Sequence, residues 1–122
     1  MYNGNKSDVV IPSVYNGKQI VVSKPSDNTS PFMNNQNITS VTFEDGVVFD
    51  STNYSYMFKG CSSLSSVTGC FDDATNMDYM FDGCASLIKG ITVPMSVKSM
   101  NYTYNGCNSL QGKLEINSAC NN

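Results

Sequence analysis

The chain has 122 residues and a formal net charge of −3, which fits a single domain. Only 14% of its residues are charged, against roughly 25% in ordinary globular domains, so Asn, Ser, Thr and Gly must supply the polar surface. It has no histidine and no basic cluster. That excludes imidazole-based catalytic schemes and argues against nucleic acid or an anionic membrane as partners.

No run of about 18 apolar residues is present, so a transmembrane helix is not expected. The polar start, Met1 to Ser7, lacks a secretory-signal pattern. Five cysteines leave at least one without an intrachain partner. With no histidine and no C-x2-C pair, neither a metal site nor a cofactor is expected.

In chain order, Asp8 to Pro12 alternates and then stops, as a short strand would. Asn16-Gly17 signals a turn, and Gln19 to Val22 is a second short β run. Residues 23 to 31 form a loop holding Pro25 and Pro31. Phe32 to Ile38 reads as a degraded copy of the segment Phe58 to Leu64. A three-residue insertion near Glu44 to Val48 separates the two.

A repeat then takes over. Asn53 to Leu64 reads N-Y-S-Y-M-F-K-G-C-S-S-L. Asn76 to Leu87 reads N-M-D-Y-M-F-D-G-C-A-S-L, and Ser99 to Leu110 reads S-M-N-Y-T-Y-N-G-C-N-S-L. Gly60, Gly83 and Gly106 are 23 residues apart, as are Cys61, Cys84 and Cys107 and Leu64, Leu87 and Leu110. A fixed period in the twenties predicts stacked coils, an α/β solenoid. Each coil would hold a short strand after the aligned Leu or Ile. Its return would be one short helical turn, α or 3-10, carrying Phe58, Phe81 and Tyr104 inward. The glycines would close that turn with φ > 0. The Met columns read as core filling, and the cysteines as free, buried thiols in a ladder.

Period 2 along the strands puts Val41, Phe43, Val67, Ile91, Val93, Leu114 and Ile116 inside. Ser40, Thr42, Ser66, Thr68, Thr92, Lys113 and Glu115 then share one outward face. That face is a candidate binding surface for protein or carbohydrate, and it equally suits ordinary solvated strand positions. Tyr2 and Tyr15 are further candidates for exposure. Tyr56 and Tyr79 share a column and form a second candidate, an aromatic stripe on the returning side.

The motif M-F-x-G-C-x-S-L resembles the BspA-like leucine-rich repeats of bacterial surface proteins. It is strongest at Met57-Phe58-Lys59-Gly60-Cys61 and Met80-Phe81-Asp82-Gly83-Cys84. It weakens at Tyr104-Asn105-Gly106-Cys107 and is weakest at Phe32-Met33-Asn34-Asn35. The resemblance implies a right-handed leucine-rich-repeat superhelix of four to five coils with a short parallel sheet. One domain would span 1-122, with irregular coils at 8-50, three repeats at 51-117 and a tail at 118-122. It also implies a non-enzymatic, extracellular or surface-displayed adhesion module whose partner is a protein or glycan on a neighbouring cell. The alternative is a spacer or assembly domain of a larger surface or phage tail protein, self-associating through its coil ends.

Overall fold

A computed structural model describes residues 7-23 and 30-112, with the backbone of 116-117. These residues hold nine short strands and no helix. In order they are β1 (Asp8–Ile11), β2 (Val14–Tyr15), β3 (Lys18–Gln19), β4 (Val21–Val22), β5 (Ser40–Phe43), β6 (Val48–Phe49), β7 (Ser66–Thr68), β8 (Val93–Pro94) and β9 (Ile116–Asn117). They form four small sheets. One has three parallel strands in the order β1-β5-β7, and the others pair β2 with β3, β4 with β6, and β8 with β9. The β2-β3 pair is antiparallel, joined by Asn16 and Gly17, both at positive φ, as a two-residue hairpin requires.

These observations overturn the expected α/β solenoid and its leucine-rich-repeat superhelix. There is no helical return and no continuous sheet among the described residues. They are strand and loop, with small sheets of mixed orientation.

The hydrogen bonds explain why the return is not helical. In the first copy the N–H groups of Tyr54, Tyr56, Phe58 and Gly60 donate to the carbonyls of Asn76, Asp78, Met80 and Asp82, at 2.8 to 3.0 Å. The intervening N–H groups of Met57, Lys59 and Cys61 close tight turns onto Tyr54, Tyr56 and Phe58. The second copy repeats the scheme. Met77, Tyr79, Phe81 and Gly83 donate to Ser99, Asn101, Thr103 and Asn105. An α-helix needs consecutive N–H groups bonded within the segment, and here every second one leaves it.

The turns place one residue per pair at positive φ. Tyr56 (63°) and Gly60 (78°) occupy these places in the first copy, and Tyr79 (58°) and Gly83 (80°) in the second. This is the third-position conformation of a type II turn, which favours Gly or Asn. Asn34, at φ 63°, stands in the glycine column of the degraded copy. Asn tolerates that conformation, so the missing Gly does not break the pattern. Asn53 and Asn76 fix the start of each turn by accepting the N–H groups of Ser55 and Asp78.

The core is a set of in-register columns. Phe32, Phe58, Phe81 and Tyr104 stack at centroid spacings of 5.3, 5.5 and 5.4 Å. Met57, Met77, Met80, Leu64 and Leu87 are fully buried beside them. Val41 and Phe43 point inward from β5, and Ile91 and Val93 are buried near β8, as alternation predicts. Cys61, Cys84 and Cys107 are free thiols. Their Sγ–H groups donate to the carbonyls of Phe32, Phe58 and Phe81. Cys70, in contrast, is disulfide-bonded, a feature the repeat does not announce.

The last column member is chemically different. Tyr104 brings a hydroxyl that is buried with no partner in hydrogen-bond geometry among the described residues. Its room comes from Gly90, where a Cβ would stand 2.6 Å from the Tyr104 oxygen. Tyr104→Phe removes a buried orphan polar group and should stabilise the protein by about 1 kcal/mol. Gly90→Ala should cost about 1–3 kcal/mol through overpacking. The double variant should recover part of that loss. Urea melts of the three variants test the coupling, and strictly additive effects would contradict it.

Candidate functional site

The three-stranded sheet brings together part of the predicted face. The register places Asp8 beside Ser40 and Ser66, and Val10 beside Thr42 and Thr68. Ser40 Oγ donates to Asp8 Oδ1 at 2.7 Å, so one of its groups is already engaged. Ser66 and Thr68 are exposed, and Val10 is an apolar member of the same surface. Thr92 does not join it. It is exposed and precedes β8, whose partner is β9. Lys113 and Glu115 lie outside the described residues, as does Tyr2.

The face ends for a local reason. Ile88 N–H still reaches the Ser65 carbonyl, at 3.1 Å. The aligned Leu is three residues before Val67 in one copy and four before Ile91 in the next. The extra residue throws the following strand out of register, and no ladder continues from β7 among the described residues. The remaining patch is small, and the polar groups that meet in it, Asp8, Thr39 and Ser40, already bond one another.

The aromatic stripe is more distinctive. Tyr56 and Tyr79 stack at 5.0 Å with planes 10° apart. Tyr79 and Tyr102 continue it at 5.2 Å and 14°. Tyr102 extends the stripe beyond the two tyrosines expected from the sequence, and it stands 23 residues after Tyr79 in the same column. The first two rings are half-buried and Tyr102 is 61% exposed. All three residues have φ between 57° and 63°. Left-handed backbone is an outlier for a bulky side chain, and here it recurs in each of the three 23-residue copies, though not at the matching Ser30 of the degraded one.

Rings in contact have planes about 3.5–4.0 Å apart, so centroids 5.0 Å apart mean rings slid past one another, leaving a stepped surface. Lys59 Nζ rests on the first step, 5.2 Å from the Tyr56 centroid and 5.3 Å from that of Tyr79. It also lies 3.8 Å from Asp82 Oδ2. Asn105 Nδ2 donates to the other oxygen of Asp82 at 3.0 Å. Asp78 accepts from Ser99 Oγ and Asn101 N–H and so ties the second copy to the third.

Other groups have structural partners. Asp73 accepts the Tyr54 hydroxyl at 2.7 Å, and burial with this bond raises the Tyr54 pKa far above its usual value. A shallow groove of about 320 Å³ beside β8 is lined by Val93, Met95, Val97, Lys98 and Met100 among others. No cluster of three metal-ligating side chains occurs among the described residues, nor any helix long and apolar enough to cross a membrane. No protein-family model, curated protein or solved structure matches the chain.

Burial lifts the thiol of Cys61 from 9.0 to about 12 and that of Cys107 to about 11, and raises Cys84 as well. Burial also lifts Tyr104 to about 12, although the nearby Ile91 N–H draws it down somewhat. The folded groups therefore hold their protons more tightly than unfolded ones. Stability from these groups is intact below about pH 9 and falls as pH rises toward 11–12. Thermal melts should be flat from pH 7 to 8.5 and decline above pH 9. Thiol-labelling reagents should be slow in the native state at pH 7.5, with Cys107 first. A melting temperature unchanged up to pH 11 would contradict this account.

Proposed function

We propose that the chain is a non-catalytic binding module, displayed at a bacterial surface or in another extracellular setting. Its main recognition surface is the tyrosine ladder, and the Ser40, Thr42, Ser66 and Thr68 patch is secondary. The observation that carries this reading is the left-handed backbone of the three tyrosines. A left-handed non-glycine residue costs roughly 1–2 kcal/mol. One offset stack contributes roughly 0.5–1.5 kcal/mol. At Tyr102, mostly exposed and with one stacking neighbour, these terms cancel or leave a net cost. Stability therefore does not select tyrosine there over Asn, and an aromatic surface for a ligand does.

Two further features support the setting. Cys70 is disulfide-bonded, and disulfides persist in oxidising compartments. The resemblance to BspA-like repeats also points to surface display. Its motif residues Met57, Phe58, Cys61, Met80, Phe81 and Cys84 are all buried, so that resemblance concerns packing and says nothing about a ligand.

Tyr102→Asn suits the left-handed position and should keep the melting temperature within a few degrees of the parent. It should lower binding at least tenfold for whichever protein or glycan the parent selects from a mixed array. Thr68→Lys should have a smaller effect. Loss of binding in Thr68→Lys but not in Tyr102→Asn would move the site to the sheet.

A second reading, an assembly or spacer domain, rests on a different observation. Each of the first two copies bonds to the next through four backbone N–H groups, a pairing that a copy from a second chain could also offer. Light scattering across a concentration series would separate the readings. A persistent monomer favours the binding module, and growth of larger species favours assembly.

A further inference from the structure

The ladder contains its own example of an occupied seat. Lys59 shows how an ammonium sits on a step between two rings with a carboxylate at its side. One copy later the position of Lys59 is taken by Asp82, and after that by Asn105. The Tyr79–Tyr102 step has nearly the same geometry, 5.2 Å against 5.0 Å between centroids. Among the described residues no lysine or arginine lies over Tyr102. Asp82 supplies the carboxylate beside Lys59, and Asp78 bonds Ser99 and Asn101 of the third copy.

We propose that the Tyr79–Tyr102 step beside Asp82 is a cation seat, which takes a lysine or arginine side chain from an extended basic peptide segment of a partner protein. This deepens the ladder reading above and rests on it. The stepped ring faces carry negative quadrupole potential that attracts a cation, and Asp82 adds a carboxylate that Lys59 offsets only in part, at 3.8 Å. Neutral sugars carry no charge to meet either term and gain only the weaker C–H contacts with the rings and hydroxyl hydrogen bonds to the carboxylate. Lys59 itself competes for ligand cations, because it fills the upper step and neutralises one side of Asp82.

The test uses the intact chain, which has seven tyrosines and no tryptophan, so tyrosine emission detects binding and residue-resolved NMR shifts separate the three ladder rings from the other four tyrosines. The probe is an end-capped tetralysine peptide. Its side-chain-acetylated form and a neutral glucose tetramer serve as comparisons. Titration followed by fluorescence and by NMR shifts should show tetralysine perturbing Tyr79, Tyr102 and Asp82. Asp82→Asn should weaken binding roughly 3- to 10-fold. Lys59→Ala should strengthen it and bring Tyr56 into the perturbed set, because the upper step is vacated. Asp72→Asn, a change at an exposed acid away from the ladder, should leave affinity unchanged.

If Asp82→Asn loses its fold by circular dichroism, Lys59→Ala still decides, because its expected effect is a gain. Equal binding of the acetylated peptide or the glucose tetramer at Tyr102 would overturn the cation seat while keeping the ladder as a binding face. Perturbation confined to Asp45 and Asp72, with Tyr102 silent, would overturn it as non-specific charge attraction. Absence of tetralysine binding would overturn it outright.

Discussion

Every second N–H group of the repeated turn belongs to the next copy. This alternation is the constraint on which the rest depends. It holds the copies at the spacing of paired strands without requiring long strands. It forces the intervening N–H groups into tight turns, and those turns demand a left-handed residue at fixed places. Glycine meets the demand at Gly60, Gly83 and Gly106, and tyrosine at Tyr56, Tyr79 and Tyr102. The same backbone thus sends Phe58 and Phe81 inward and the tyrosine beside them outward.

Much of the packing was legible in the sequence. The period of 23 gives the columns directly, and the burial of Met57, Met80, Phe58, Phe81 and the thiols follows from it. The strands at Asp8, Ser40 and Ser66 follow from alternation. The helical return was not legible as wrong. Apolar spacings of 3, 3 and 1 fit a helical turn and a chain of β-turns equally well. Only the hydrogen-bond partners, 22 residues away, distinguish them. Propensity is a local quantity, and this choice was made between copies.

The candidate site was legible in part. Tyr56 and Tyr79 were visible as a column, and the same arithmetic extends to Tyr102. Their left-handed backbone was not visible, since tyrosine gives no signal for it. The sheet face failed at Thr92 because one extra residue after Leu87 shifts the register, and period-2 arguments are blind to where a ladder stops. Asn34 shows the opposite case. Its copy lacks both Gly and Cys, yet the turn survives because Asn accepts the same conformation. The one free thiol missing from that copy has no counterpart to bond, because Phe32 begins the aromatic column.

The two sides of each copy also differ in their tolerance of length. The turn segments from 53 to 64, 76 to 87 and 99 to 110 have equal lengths, because one added residue there would misplace a donor, a ring and a thiol together. The strand side accepts change: three extra residues fall near Glu44 to Val48, where Val47 N–H closes a turn onto Glu44, and the extra residue at Ile88 to Gly90 is taken up before β8. Crossovers that join one copy to another at the aligned leucines would therefore keep donors, rings and thiols in phase. Such a gene can lengthen, shorten or shuffle its copies without redesigning the interface between them.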